Sequence, residues 1–265
     1  MERDNPKLAL IVGDRSVGAH LDAAIERGDV TRRADGGLAL SRPQTERDEV
    51  GRRGGFLGRA GSNDRPCGFL NGFLFDQAYG QAQVPFGCRS CFKVKVSTRS
   101  LRALMAAKQI AETTPFTTKS GSAVDNPANQ DLYSTYLYLD GLEEARAAHK
   151  LVREAVDADD RLGPEVAVTL KRGCTNYERK LGPSDQYAFD PRLEAVEADL
   201  ASRFRDERPE RQASKEAVAS LRMLRLIRTA YRIGDETYKD FTDGEPLLAP
   251  LVSYAPEAAT GAESD

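Results

Sequence analysis

Between Phe92 and Leu170 the hydrophobic pattern switches repeatedly between a period of two and a period near 3.6, which limits the folds open to this chain. Phe92-Lys-Val-Lys-Val96 alternates apolar and polar residues, the signature of a half-buried strand. Ser97-Thr98 offers an N-cap, and Leu101, Leu104, Met105, Lys108 and Ala111 continue at helical spacing up to the break at Pro115. Thr117 to Asn129 is polar and rich in turn residues, so it reads as a loop. Leu132 to Leu139 has strand composition, and Asp140-Gly141 turns the chain into a helix, Leu142–Asp157. Leu142, Ala145, Ala148, Val152 and Val156 share one face of that helix. Gly163-Pro164 ends it, and Val166 to Leu170 is a third strand. The predicted class is α/β or α+β, with a central βαβαβ unit that is either ferredoxin-like or an open parallel sheet.

The flanks are less regular. Lys7 to Val12 is a short apolar run of strand character, and Ser16 to Arg27 is a helix closed by Gly28. Gly13-Asp-Arg-Ser-Val-Gly18 fits neither GxGxxG nor a Walker loop, so an ordinary turn is expected. From Thr31 to Arg65 there are eight Arg, five acids and seven Gly with no sustained apolar period. That composition predicts an irregular linker or arm. Pro191–Phe204 and Ser214–Ile233 read as helices, the second with Val218, Leu221, Leu224, Ile227 and Tyr231 as its core-facing stripe. After Gly244 the three prolines and the polar end predict an extended tail. The expected organisation is a strand–helix segment (1–30), an Arg/Gly arm (31–65), a central α/β domain carrying the cysteines (66–190), a helical region (191–240) and a tail (241–265).

Charge and hydropathy restrict the classes of function. No stretch approaches roughly 20 consecutive apolar residues, so no membrane span is expected. Leu8–Val12 is too short for the apolar core of a secretory signal, so a cytoplasmic location is expected. The net charge is −3. The acids flanking the Arg-Gly stretch dilute its field, so nucleic acid is not an expected partner.

The four cysteines carry the chemical signal. A cytosolic chain of this size is a poor candidate for a disulfide framework. Cys67, Cys88, Cys91 and Cys174 are separated by 20, 2 and 82 residues. Cys88-Arg-Ser-Cys91 lets two sulfurs converge on one centre, and Cys67-Gly68, Gly87-Cys88 and Gly173-Cys174 put a glycine beside each turn. A thioredoxin-type dithiol needs its pair at a helix N-terminus, whereas this pair enters a strand. A zinc ribbon needs a second paired knuckle, and His20 and His149 are remote from each other. An iron–sulfur cluster accepts thiolates from separate loops, so a [4Fe-4S] cluster on Cys67, Cys88, Cys91 and Cys174 is the leading expectation, with zinc or plain core cysteines as the alternatives. A shared site favours an antiparallel arrangement of the first and third predicted strands, because Cys88 and Cys91 precede one and Cys174 follows the other.

The leading expectation is therefore a cytosolic cysteine-ligated metal protein with an electron-transfer or redox-coupled accessory role. The alternative is a non-catalytic assembly protein, docking through the arm Arg52–Arg59 and a basic helix with Arg222, Arg225, Arg228 and Arg232 at spacings of three, three and four. His149 reads as a helix-surface residue, and Asp157-Ala-Asp-Asp160 reads as a solvated helix end without EF-hand spacing. Nothing local suggests a nucleophile–base pairing.

Overall fold

The computed structural model describes residues 5–41, 56–60, 65–122, 124, 131–205 and 214–248. Its centre is a five-stranded sheet. The strands are β5 (Phe56–Ala60), β6 (Cys91–Thr98), β7 (Thr117–Ser122), β8 (Tyr133–Asp140) and β9 (Ala167–Arg172), in the order β5-β7-β8-β6-β9. Every neighbouring pair is antiparallel. Helix α2 (Leu101–Glu112) links β6 to β7, and α3 (Leu142–Ala158) links β8 to β9. The connectivity β-α-β-β-α-β is the split βαβ, ferredoxin-like arrangement. The protein is therefore α+β, and the parallel alternative is excluded.

β7 is a correction to the expected loop over Thr117 to Asn129. Its inward residues Thr118, Ser120 and Ser122 are small and polar, so no apolar alternation announces a strand. Pairing with β8 supplies the stability instead, and the Thr135 hydroxyl donates to Ser120 Oγ at 2.9 Å across that pair.

Helices cover one face of the sheet. Phe92, Val94 and Val96 of β6 with Leu137 and Leu139 of β8 pack against Ala106, Ala107 and Ala111 of α2 and Ala145, Ala148, Val152 and Val156 of α3. A third helix, α6 (Lys215–Arg232), packs beside α2 against Leu57. Its buried residues are Leu226, Ile227 and Ala230, whereas Leu221, Leu224 and Tyr231 are 60%, 41% and 38% exposed. The expected stripe therefore points outward apart from Ile227 and the half-buried Val218. α6 is apolar on two sides, and the side that fits Leu57, Leu101 and Leu104 is the one that packs.

Asp235 ties these helices together. Its carboxylate accepts from Leu101 N at 2.7 Å, the Tyr133 hydroxyl at 2.8 Å, Thr237 N at 3.1 Å and the Thr237 hydroxyl at 2.7 Å. It satisfies an orphan N–H at the start of α2, which Ser100 also caps. Asp235→Ala leaves the hydroxyl of fully buried Tyr133 without this acceptor, and a loss of about 2–3 kcal/mol in urea unfolding is expected.

A second core lies at the cysteine-bearing end of the sheet. It joins α1 (Val17–Glu26), a π-type helix over Gly68–Ala78, and α5 (Leu193–Arg203) through Leu21, Phe69, Phe73, Leu74, Phe75, Val196 and Leu200. Ser16 caps α1 and Gly28 follows it at φ +78°, as its sequence predicts. Lys7–Val12 is not one strand. Pro6 opens a 3-10 turn (Pro6–Ala9), with Asn5 accepting from Lys7 N, and only β1 (Ile11–Val12) is extended, paired with β2 (Arg15–Ser16). Within the expected arm, β3 (Val30–Arg32) and β4 (Leu38–Leu40) form a hairpin, and β5 joins the sheet edge. Residues 42–55 and the tail beyond 248 lie outside the described residues. Among the described residues no helix is long and apolar enough to cross a membrane.

Candidate metal centre

Each thiol occupies the end of a different element. Cys67 opens the π-type helix, Cys88 ends the short turn Phe86–Cys88, Cys91 begins β6, and Cys174 precedes α4 (Thr175–Leu181). The antiparallel pairing of β6 with β9 sets Phe92 opposite Arg172, so the start of one strand meets the end of the other. Gly173 N then donates to Cys91 O at 2.8 Å. This is the orientation that a shared site favours. The four side chains come within electrostatic reach: negative charge on Cys174, Cys91 and Cys67 disfavours ionisation of Cys88. None of the four is in a disulfide; Cys88 and Cys91 are only 5% exposed, and Cys67 and Cys174 are half-buried.

The turn between Pro85 and Cys91 is clamped from two sides. Glu197 of α5 accepts from Phe86 N at 2.5 Å, Gly87 N at 2.9 Å and the Tyr79 hydroxyl at 3.1 Å. Burial raises the Glu197 pKa, partly opposed by those three donors. From the other side, Arg65 donates to Gly87 O at 3.4 Å and to Ser90 O and Oγ, each at 3.2 Å, and also pairs with Asp140. Gly87 is required by space rather than by φ: a Cβ there would lie 2.9 Å from Leu70 Cδ2 and 3.2 Å from Glu197 Oε2. Gly173 is required by both, having φ +71° and only 2.9 Å between a built Cβ and Tyr177 Cδ2.

Cations and rings line the thiols. Lys93 is 7% exposed, and its ammonium donates to Cys174 Sγ at 3.4 Å while lying 5.1 Å above the Tyr138 ring. Burial pulls its pKa down, but negative charge on Cys174, Tyr138 and Cys91 outweighs this and the net shift is upward. Lys171, opposite Lys93 in the β6–β9 register, pairs with Glu178. Burial, then repulsion from Lys93 and Lys95, lowers its pKa to about 8. The Arg172 guanidinium lies between the rings of Phe92 and Phe189, at 4.6 and 5.2 Å. Tyr177 shares a 3.5 Å hydrogen bond with Cys88 Sγ, and its ring centroid is 4.4 Å from that of Phe75. Burial raises the Cys88 thiol pKa most, that hydrogen bond opposes it, and the other three thiols add to it. Cys91 is raised too, by burial first, with Lys93 opposing.

Among the described residues, no three His, Cys, Asp or Glu side chains are close enough together to hold one metal ion. The arrangement can instead supply thiols at the ends of four elements and a buried ammonium.

The remaining candidates lie elsewhere. His149 Nε2 is 3.0 Å from Val168 O and His20 Nε2 is 2.9 Å from Val12 O, so both have local backbone partners. Asp157 pairs with Arg153 and Asp159 with Arg161 at the end of α3. Arg222 and Arg225 are half-buried, and Arg228 and Arg232 are exposed on α6. Of the segment Arg52–Arg59, residues 52–55 lie outside the described residues and the remainder belongs to β5. Glu197, Arg65 and Tyr177 were not anticipated from sequence. Glu197 alone left a visible mark, being an acid in helical phase with Leu193, Val196 and Leu200. Comparison with protein-family models, curated proteins and solved structures returned no match to this chain.

Proposed function

We propose that Cys67, Cys88, Cys91 and Cys174 hold a [4Fe-4S] cluster and that the protein serves electron transfer or a redox-coupled accessory role. The observation that carries this reading is a buried lysine whose ammonium donates to Cys174 Sγ and feels the charge of Cys91, at the end of the sheet where Cys88 and Cys67 also lie. Cysteines serving only as small core residues give no reason for that lysine. Desolvating an ammonium costs several kcal/mol, and a neutral thiol returns little of it. A sulfur held as thiolate returns much more.

Ligands drawn from separate chain elements favour the cluster over zinc. A single ion needs every sulfur at about 2.3 Å, whereas a cluster spans the gap between separated thiolates. When bound, the cluster would supply a one-electron couple. The chain's own part is to position and shield. The clamp of Glu197 and Arg65 orients Cys88 and Cys91, while Phe75 and Tyr177 keep water from their side. Lys93 offsets the negative charge of Cys174. The half-buried Cys67 and Cys174 mark the side nearest solvent, where an electron would enter or leave.

Anaerobic purification followed by iron and sulfide analysis tests the proposal. The expected result is equal iron and sulfide, about four of each per chain, with visible absorption that bleaches on reduction. Cys88→Ser should remove most of it. A colourless protein that takes up neither after anaerobic reconstitution sinks the cluster, and one zinc per chain would replace it with a structural site.

A further inference from the structure

We propose that Lys93 and Cys174 form a reversible covalent bridge when the metal-free site meets dioxygen, with one oxygen atom joining Lys93 Nζ to Cys174 Sγ. The two atoms are already neighbours: the Lys93 ammonium donates to Cys174 Sγ at 3.4 Å. Paired backbone holds them there. Lys93 lies opposite Lys171 in the β6–β9 register, and Gly173 N donates to Cys91 O at 2.8 Å one residue before Cys174. The flexible lysine stem can close the remaining gap without moving either strand. Lys93 is 7% exposed, so water competes poorly for its ammonium. Cys174 is half-buried, which lets a small neutral oxidant reach its sulfur from solvent.

Among the thiols of β6 and the turn before it, none is placed as well. Cys88 and Cys91 are only 5% exposed, and Cys88 Sγ shares its hydrogen bond with the Tyr177 hydroxyl rather than with an amine. An adjacent cation and access to solvent decide which cysteine oxidises, and both favour Cys174 over that pair.

The step balances on one molecule of dioxygen. An N–O and an S–O bond form, while the O–O bond and two N–H bonds of the ammonium break. Sulfur and nitrogen each give up two electrons. One oxygen stays in the bridge, and the other leaves as water with the two protons. Four equivalents of a thiol reverse the step, yielding two disulfides, water, the free amine and the free thiol. Bridged sulfur cannot act as a thiolate ligand, so dioxygen would close the site until a reductant reopens it. That consequence rests on the cluster reading, whereas the bridge itself does not.

Intact mass spectrometry of the metal-free full chain reads the outcome. Protein purified and reduced under argon is divided between argon and air-saturated buffer. The aerated chain should be about 14 Da heavier, one oxygen gained and two hydrogens lost. Protease digestion without reductant should join the peptide carrying Lys93 to the one carrying Cys174, and excess dithiothreitol should separate them. Lys93→Arg keeps a cation beside the sulfur and should lower the bridged species at least tenfold. The wild-type peptide map decides the question even where that variant folds poorly.

Three results overturn the proposal. The first is an unchanged mass in air. The second is a loss of about 2 Da, which marks a disulfide. The third is a gain of two or three oxygens on Cys174 with no linked peptide, the ordinary course of thiol oxidation. Iron uptake by the reduced chain is measured alongside. Uptake without a bridge removes this inference and leaves the cluster, and a bridge without uptake does the reverse.

Discussion

Glu197→Ala is expected to destabilise the protein by about 3–5 kcal/mol and to strip the thiol site of its shape. The carboxylate is 7% exposed and takes three donors, two of them backbone N–H groups in the turn that carries Cys88. Removing it leaves those donors without their acceptor in a place water reaches poorly. Each costs about 1–3 kcal/mol, reduced where the turn relaxes. At about 2–4 °C per kcal/mol for a chain of this size, the melting temperature should fall by roughly 6–20 °C. Glu197→Gln keeps an acceptor and should lose well under half as much. Circular-dichroism melts of the three proteins check this. Equal melting of wild type and Glu197→Ala would show that the turn holds itself. Glu197 also has a characteristic sign with pH. Its pKa is raised in the folded state, so its contribution is full below the unfolded value of about 4.3 and is lost as pH rises through the folded pKa. Acidification therefore costs the fold nothing through this residue.

The second large effect is alkaline. In metal-free protein, Cys88 should make the fold progressively less stable once pH passes the ordinary thiol value of about 8.5. Its folded pKa is raised, chiefly by burial, so its contribution is complete below the unfolded pKa and is lost as pH rises. The unfolded chain ionises first, and the loss approaches ~1.4 kcal/mol per pH unit. Cys91 acts in the same direction. Lys171 acts in the opposite one, since its folded pKa of about 8 lies below the unfolded lysine value. The Cys88→Ser variant separates them, because Lys171 is common to both proteins. The stability gap between wild type and Cys88→Ser should shift by about 1.4 kcal/mol per unit between about pH 8.5 and 10. Urea titrations across that range measure it, and a constant gap would mean that Cys88 ionises freely in the fold. A cluster-loaded sample should show no such slope, since its thiols are already deprotonated.

Most regular elements of the central unit were readable in the sequence. The β6 alternation, the apolar faces of α2 and α3 and the Pro115 stop are local patterns, and local sterics and burial are enough to realise them. β7 was not, because Thr118, Ser120 and Ser122 are held by their partner strand rather than by their own hydrophobicity. The outward stripe of α6 misled for a related reason. Periodicity finds an apolar face, but only packing against Leu57, Leu101 and Leu104 selects which of two such faces is buried.

The thiol site divides in the same way. The sequence by itself determined which residue types were available: four cysteines, glycines beside three of their turns, and no paired histidines. It also determined that a shared site favours flanking strands that run antiparallel. Only the tertiary structure decided that they do, and that Lys93, Arg65 and Glu197 close around the result. The physical reason is range. Strand and helix periods are set by neighbours within a few residues, whereas a carboxylate 110 positions from the N–H it accepts leaves no pattern in sequence until the chain has folded.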